Sequence, residues 1–261
     1  MPRPDSVLVT RPAGQEAALC DLLREAGYEP HHQPLIKLEA IPEPGPEQRA
    51  ILLDLDRYRH IIFISGNAVR FGMDNIEDYW PQVPVGIDWY AVGAATARRL
   101  GDYGVRAASP RGEMTSEGLL ALPALATVDG DRVLIVKGEG GRSTLREELA
   151  RRGARVDELV CYRRRRPPLA PGELAERLRR WDVGTVLISS GEALQNMLGL
   201  LSPLETLNLQ GLCLVLPSQR VTDQATAAGF GELITAENAS DAAMLRALVE
   251  RRPRVERMRE R

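Results

Sequence analysis

Val7-Leu8-Val9 and Val133-Leu134-Ile135 are one apolar strand written twice, 126 residues apart. Around them Gly14, Leu19, Leu23 and Gly27 return at the same offset as Gly140, Leu145, Leu149 and Gly153. Further along, Ser65-Gly66 with Ala68 returns as Ser190-Gly191 with Ala193, and Gly104 as Gly229, both 125 residues on. Ser116-Glu117 returns as Ser240-Asp241 at 124. So long a period lies well beyond the roughly 20–50 residues of a solenoid repeat and reads as a duplicated domain. Two similar domains on one chain predict a cleft between them, a preferred place for a small-molecule site.

Outward from that pair of strands, short apolar runs alternate with helical patterns. Strand Ser6–Thr10, helix Gln15–Ala26 and a closing Gly27 make the first unit. A second strand is expected over Pro34–Ile41, and Pro42, Pro44 and Pro46 then break the chain. Helix Pro46–Leu55, strand Ile61–Ile64, a helix opened by Ser65-Gly66-Asn67, strand Trp89–Val92, helix Ala94–Tyr103 and strand Val105–Ala108 follow, with a helix from Ser116 to about Leu122. The order then recurs: strand Arg132–Lys137, helix Arg142–Arg152, strand Arg155–Arg163 and a second break at Pro167–Pro171. The rest is helix Gly172–Arg180, strand Thr185–Ser189, helix Gly191–Leu200, strand Cys213–Leu216, helix Gln219–Ala228, strand Glu232–Thr235 and helix Ala242–Val249. Such alternation implies α/β architecture with parallel sheets covered by helices on both faces.

The 261 residues suit one large or two ordinary domains, and a hydrophobic share of 44% supplies real cores. No apolar run approaches the roughly 18 residues of a membrane span, and no signal peptide is legible, so cytoplasm is the expected location. Cys20, Cys161 and Cys213 are too few and too far apart for a disulfide framework or a metal pair. With three histidines, no metal site is expected. A net charge of −2 speaks against wholesale nucleic-acid binding. The exception is 251–261, with a net charge of +4, read either as a frayed, solvated terminus or as a nucleic-acid or membrane contact.

In strand-loop-helix units the functional loops stand at the carboxyl ends of the strands. Here those loops are small and hydroxylated: Thr10, Ser65, Gly93, Gly138, Gly140, Gly141, Ser189, Ser190 and Ser218. Small residues at a helix start leave backbone N–H groups free, and the helix dipole favours an anion there. A lone Ser-Gly start is equally a stabilising cap. Six such starts predict a ligand with many anionic groups. Lys137-Gly138-Glu139-Gly140-Gly141-Arg142 matches neither GxxxxGK[ST] nor GxGxxG, since Ser143 follows Arg142. No Ser-His-Asp or Cys-His set can be assigned.

At VLVTRP (Val7–Pro12), FISGNAV (Phe63–Val69), AVGAATARRL (Ala91–Leu100), SEGLL (Ser116–Leu120), KGEGGR (Lys137–Arg142), LVCYR (Leu159–Arg163) and LPSQRV (Leu216–Val221) the chain resembles the uroporphyrinogen-III synthase family. The resemblance implies two similar doubly wound, flavodoxin-like domains joined by a two-stranded antiparallel β linker. It implies a discontinuous first domain, 1–33 with 168–250, and a second of 43–156. The linker strands would be 34–42 and 157–167, leaving 251–261 as the basic tail. It also implies a cofactor-free, cyclising hydro-lyase. The substrate would be hydroxymethylbilane, a linear tetrapyrrole with eight carboxylates, closed to uroporphyrinogen III with loss of water and inversion of the last pyrrole ring. Such chemistry asks for positioning more than for strong acids or bases.

The family's usual candidate for assisting hydroxyl departure corresponds to Tyr162, whose phenol can donate to a leaving hydroxide. Tyr162 reads equally as a packing residue of an amphipathic strand. Thr96 is a candidate hydroxyl contact or a helix residue bonded one turn back. Ser65, Asn67, Gly93, Gly140, Ser189, Ser190, Gly191 and Ser218 are expected ligand contacts. Arg11, Lys137 and Arg142 are expected to meet carboxylates or to lie on solvated faces. Some relatives carry a threonine pair where this chain has Arg220-Val221, so no role of those hydroxyls transfers. A monomer with transient contacts to neighbouring pathway enzymes is the expected state. The rival readings are a two-domain anion-binding or ligand-sensing protein without catalysis, and a nucleotide-dependent transferase built on Lys137–Arg142.

Overall fold

The computed structural model describes residues 5–259 apart from 42, 111 and 113, and for 251–259 the backbone alone. In chain order it runs β1 (Ser6–Val9), α1 (Ala17–Glu25), β2 (Glu29–His32), β3 (Lys37–Ala40), α2 (Pro46–Leu53), β4 (His60–Phe63), α3 (Gly66–Glu77) and β5 (Asp88–Ala91). Then come α4 (Ala94–Gly101), α5 (Ser116–Leu120), α6 (Pro123–Ala126), β6 (Arg132–Gly138), α7 (Thr144–Arg151) and β7 (Arg155–Arg165). The chain finishes with α8 (Glu173–Arg180), β8 (Thr185–Leu187), α9 (Gly191–Leu200), α10 (Pro203–Asn208), β9 (Cys213–Leu216), α11 (Gln219–Ala227), β10 (Leu233–Thr235) and α12 (Asp241–Arg259).

Two compact units result, one drawn from Met1–Leu38 with Arg165–Arg261 and one from Glu39–Arg164. The sheet of the first has the order β2-β1-β8-β9-β10, with every neighbouring pair parallel. The sheet of the second has the order β3-β7-β6-β4-β5, in which β7, β6, β4 and β5 are parallel. Each sheet therefore takes strands from both repeats: β1 and β2 join β8 to β10, while β6 and β7 join β4 and β5.

Strand periodicity explains why helices are needed on both faces. Along β1, Leu8 packs into one core with Val186, Ile188, Leu214 and Leu216. Its neighbours Val7 and Val9 point the other way, into a core with Leu187, Val215 and α1's Leu19 and Leu23. In the other unit Ile62, Val133 and Ile135 meet Leu145 and Leu149 of α7. Gly27 and Gly153, the repeat partners just after α1 and α7, adopt φ of 81° and 89°, the left-handed helix ending that only glycine takes cheaply.

Of the expected strand Pro34–Ile41 only Lys37–Ala40 forms, as β3, and a strand that was not expected, β2, precedes it. Residues 29–32 form β2 although they carry Pro30 and two histidines, because β2 is an edge strand where proline is tolerated. Leu35 and Ile36 are buried in the first unit's core, and β3 begins afresh in the other sheet, where the Ile41 amide donates to the Cys161 carbonyl at 3.1 Å. Of the expected strand Val105–Ala108, only a parallel bridge from Ala108 to Tyr90 forms. Helix α12 continues through the basic stretch to Arg259 rather than ending at Val249, its arginines and glutamates being good helix formers. Pro42 of the first break and residues 260–261 lie outside the described residues.

Helix α3 sits close on its sheet because residue 72 has no side chain. A methyl group at Gly72 would stand 2.4 Å from Val136 Cγ1 and 3.2 Å from Phe63 Cε1. We expect Gly72→Ala to cost about 1–3 kcal/mol through overpacking, read as a lower urea midpoint with unchanged slope. An unshifted midpoint would mean that α3 rides over the sheet without strain.

Candidate active site

Parallel strands deliver their following loops to one sheet edge, and that edge collects the candidate residues of each unit separately. In the unit of Glu39–Arg164 these are Ser65 after β4, Gly93 after β5, the loop from Gly138 to Arg142 after β6, and Tyr162 within β7. Ser65 caps α3, its Oγ accepting from the Ala68 amide at 3.0 Å, and Asn67 lies half-buried in the first turn. Gly93 caps α4 with extended backbone, and Thr96, one turn on, is buried. Met114 covers that start, its Sδ lying 3.1 Å from where a methyl group at Gly93 would be. Gly140 and Gly141 have φ of 74° and 92° with open space around them, so the loop presents its backbone uncovered.

Tyr162 is 3% exposed. Its ring stacks on Phe71 of α3 at 5.3 Å between centroids, and its hydroxyl lies 3.4 Å from Ser65 Oγ. The phenol thus stands at the amino end of α3, beside the cap. Among the expected cations of this unit, Lys137 is 8% exposed and pairs with Glu158 at 3.0 Å, whereas Arg142 is largely exposed, 3.8 Å from Glu117.

The other unit brings Ser189, Ser190 and Gly191 together at the start of α9 and Ser218 at the start of α11. Ser190 Oγ accepts from the Ala193 amide at 3.1 Å, repeating the Ser65 cap. Ser218 makes no such side-chain bond, although its carbonyl accepts from the Thr222 hydroxyl at 3.2 Å. Arg11 is spent on tertiary structure, pairing with Asp241 at 2.5 Å and donating to the Ala239 carbonyl at 2.7 Å, which ties the start of α12 to the loop after β1.

Two arginines that sequence reasoning left aside stand at these helix starts. Arg99 Nη1 of α4 lies 3.5 Å from where a methyl group at Gly66 would be, and Arg220 Nη1 lies 3.6 Å from the same point at Gly191. Gly66 and Gly191 are repeat partners, so each unit places a guanidinium over the same glycine. Neither arginine has an ion pair among the described residues, in contrast to Arg11 and Lys137. The repeat itself held the signal: position 99 maps onto Gln224, whose Oε1 also faces Gly191.

Among the described residues no helix is long and apolar enough to cross a membrane, and no three His, Cys, Asp or Glu side chains are grouped to hold a metal ion.

The chain matches the family model described as uroporphyrinogen-III synthase HemD over residues 17–246. It is 33% identical over 251 residues to the uroporphyrinogen-III synthase of Escherichia coli strain K12, covering 93% of this chain and 99% of that one. Against the synthase of Salmonella typhimurium strain LT2 the identity is 33% over 245 residues, again 93% and 99% of the two chains. Of solved structures, uroporphyrinogen-III synthetase from Helicobacter pylori 26695 aligns with a TM-score of 0.61 at 15% identity, covering 95% of this chain and 99% of that one. A mutant uroporphyrinogen III synthase from the extremely thermophilic bacterium Thermus thermophilus aligns at 0.58 and 21% identity, covering 94% and 99%. At such identities the structural likeness speaks for the α/β fold alone. The family match, which spans most of the chain, and the 33% identity along nearly the whole length of two curated synthases lead to one assignment: this chain belongs to the uroporphyrinogen-III synthase family.

Proposed function

We propose that this protein closes hydroxymethylbilane to uroporphyrinogen III, expelling water and inverting the last pyrrole ring. The observation that carries the reading at the site is the Tyr162 hydroxyl beside Ser65, at the same sheet edge as the starts of α3 and α4. In this reading Tyr162 donates to the departing hydroxyl as the carbon–oxygen bond breaks. The pyrrole nitrogen supplies the electrons, and the resulting azafulvene carbon is attacked within the same molecule, so placement of the chain governs the outcome. Backbone N–H groups at the starts of α3, α4, α9 and α11, with Ser65, Asn67, Gly93, Thr96, Gly140, Ser189, Ser190, Gly191 and Ser218, take carboxylates. Arg142, Arg99 and Arg220 add charge, whereas Arg11 and Lys137 hold the fold through their own ion pairs.

The same reading carries a flavodoxin-like strand order in each unit and an antiparallel pairing of β3 with β7, where the chain passes between them. It also carries a cytoplasmic monomer, with neighbouring pathway enzymes as transient contacts.

Freshly made hydroxymethylbilane, incubated with the protein and no added cofactor, is expected to give isomer III. Isomer I alone, the uncatalysed product, would overturn the assignment. Arg99→Ala is expected to raise KM about 3–10-fold with kcat nearly unchanged, since a partly solvated guanidinium–carboxylate contact is discounted from its buried worth. A wild-type KM would remove Arg99 from the binding set.

A further inference from the structure

In a regular strand successive side chains point to opposite faces of the sheet. Strand β7 breaks that rule at Cys161 and Tyr162. The Cys161 thiol lies 3.8 Å from the Ala68 carbonyl of α3, and the Tyr162 ring stacks on Phe71 of the same helix. Both neighbours therefore face α3. The cause is a shift in the β6–β7 ladder: Lys137 pairs with Val160 and Gly138 with Tyr162, so Cys161 is an extra residue. Such bulges bend a strand locally and re-aim a side chain.

Several bonds hold the shift in place. The Cys161 carbonyl accepts from the Ile41 amide at 3.1 Å, and the Tyr162 carbonyl from the Glu139 amide at 2.8 Å. The Cys161 thiol donates to the Lys137 carbonyl at 3.2 Å. Burial pushes this thiol's pKa up to about 12, so it keeps the proton it donates. The re-aimed ring then needs room, and Gly138 supplies it. A methyl group at Gly138 would stand 2.5 Å from Tyr162 Cζ and 2.8 and 2.9 Å from Cε2 and Cε1. The phenol ring thus lies across bare backbone, and its hydroxyl reaches Ser65.

We infer that Gly138 and Cys161 are positioning residues, forming a bulge that turns Tyr162 onto the α3 face and sets its hydroxyl at Ser65. This inference rests on Tyr162 being the group that assists hydroxyl departure. A kinetic cycle separates the two. Gly138→Ala is expected to lower kcat about 10–100-fold, part of the effect of a positioned proton donor, with KM changed less than about 3-fold. Added to Tyr162→Phe it should cost nothing more, because the two changes remove one interaction. Cys161→Ala is expected to lower kcat by about 2–5-fold, and Cys161→Ser, which keeps a donor, to restore it. That pair carries the test should Gly138→Ala fail to fold.

If Tyr162→Phe is slow while Gly138→Ala turns over normally, or if the two losses multiply, the positioning role is overturned and Tyr162 keeps its assignment. Equal turnover in Cys161→Ala and wild type would likewise remove Cys161. If Tyr162→Phe turns over at the wild-type rate, the reading of Tyr162 falls, and the positioning role with it.

Discussion

Tyr162→Phe should lower kcat by about 100-fold or more while KM stays within about 3-fold, the pattern of an interaction made only in the transition state. The substitution keeps the ring that stacks on Phe71 and covers Gly138, so packing is preserved. Ser65 Oγ keeps its bond from the Ala68 amide when the phenol is removed, which leaves no buried acceptor orphaned. Loss of the 3.4 Å contact should therefore cost no more than about 1 kcal/mol of stability. Single-turnover kinetics on fresh substrate, together with a denaturation curve, separates chemistry from folding. Wild-type turnover with a lowered midpoint would make Tyr162 a packing residue and leave hydroxyl departure to another group.

Lys137→Met is the second large effect, and it falls on stability. Lys137 is 8% exposed and holds Glu158 at 3.0 Å, so methionine fills the space but strands a carboxylate a quarter exposed. Breaking a fully buried pair costs about 3–5 kcal/mol; the partial exposure of Glu158 brings the expectation to about 1–3 kcal/mol. Glu158→Gln in the Lys137→Met background should recover part of that loss, a coupling measurable by a double-mutant cycle in urea. KM should change little in variants that remain folded. A several-fold rise in KM with unchanged stability would instead return Lys137 to the set of carboxylate contacts.

These two residues also show how far the chain could be read before folding. Tyr162 could be named from LVCYR, and its strand from Leu159-Val160-Cys161, but alternation along that strand sets Cys161 and Tyr162 on opposite faces. A one-residue shift moves a side chain to the other side of a sheet, and nothing in the local pattern marks that shift. Lys137 was legible as a cation at a glycine-rich loop, whereas Glu158, its partner, lies 21 residues away on the neighbouring strand. Arg11 likewise finds Asp241 only through the tertiary fold, 230 residues on. Arg99 and Arg220 show the converse: neither is adjacent in sequence to the glycine it covers, so a reading along the chain gave neither a role.

By itself the sequence determined the duplication, the alternation of strand and helix, and the small, hydroxylated loops at the strand ends. These depend on residue type and short spacing, which local propensity and hydrophobic period translate directly. Which stretches share a domain was already implied by the family resemblance; only the tertiary structure decided the strand order and register within each sheet, which cations are already paired, and which face Tyr162 presents. The physical reason is that pairing and register are set between strands remote along the chain, as where Val7 pairs with Thr185 and His60 with Val133, through buried contacts whose free energy no short window of sequence contains.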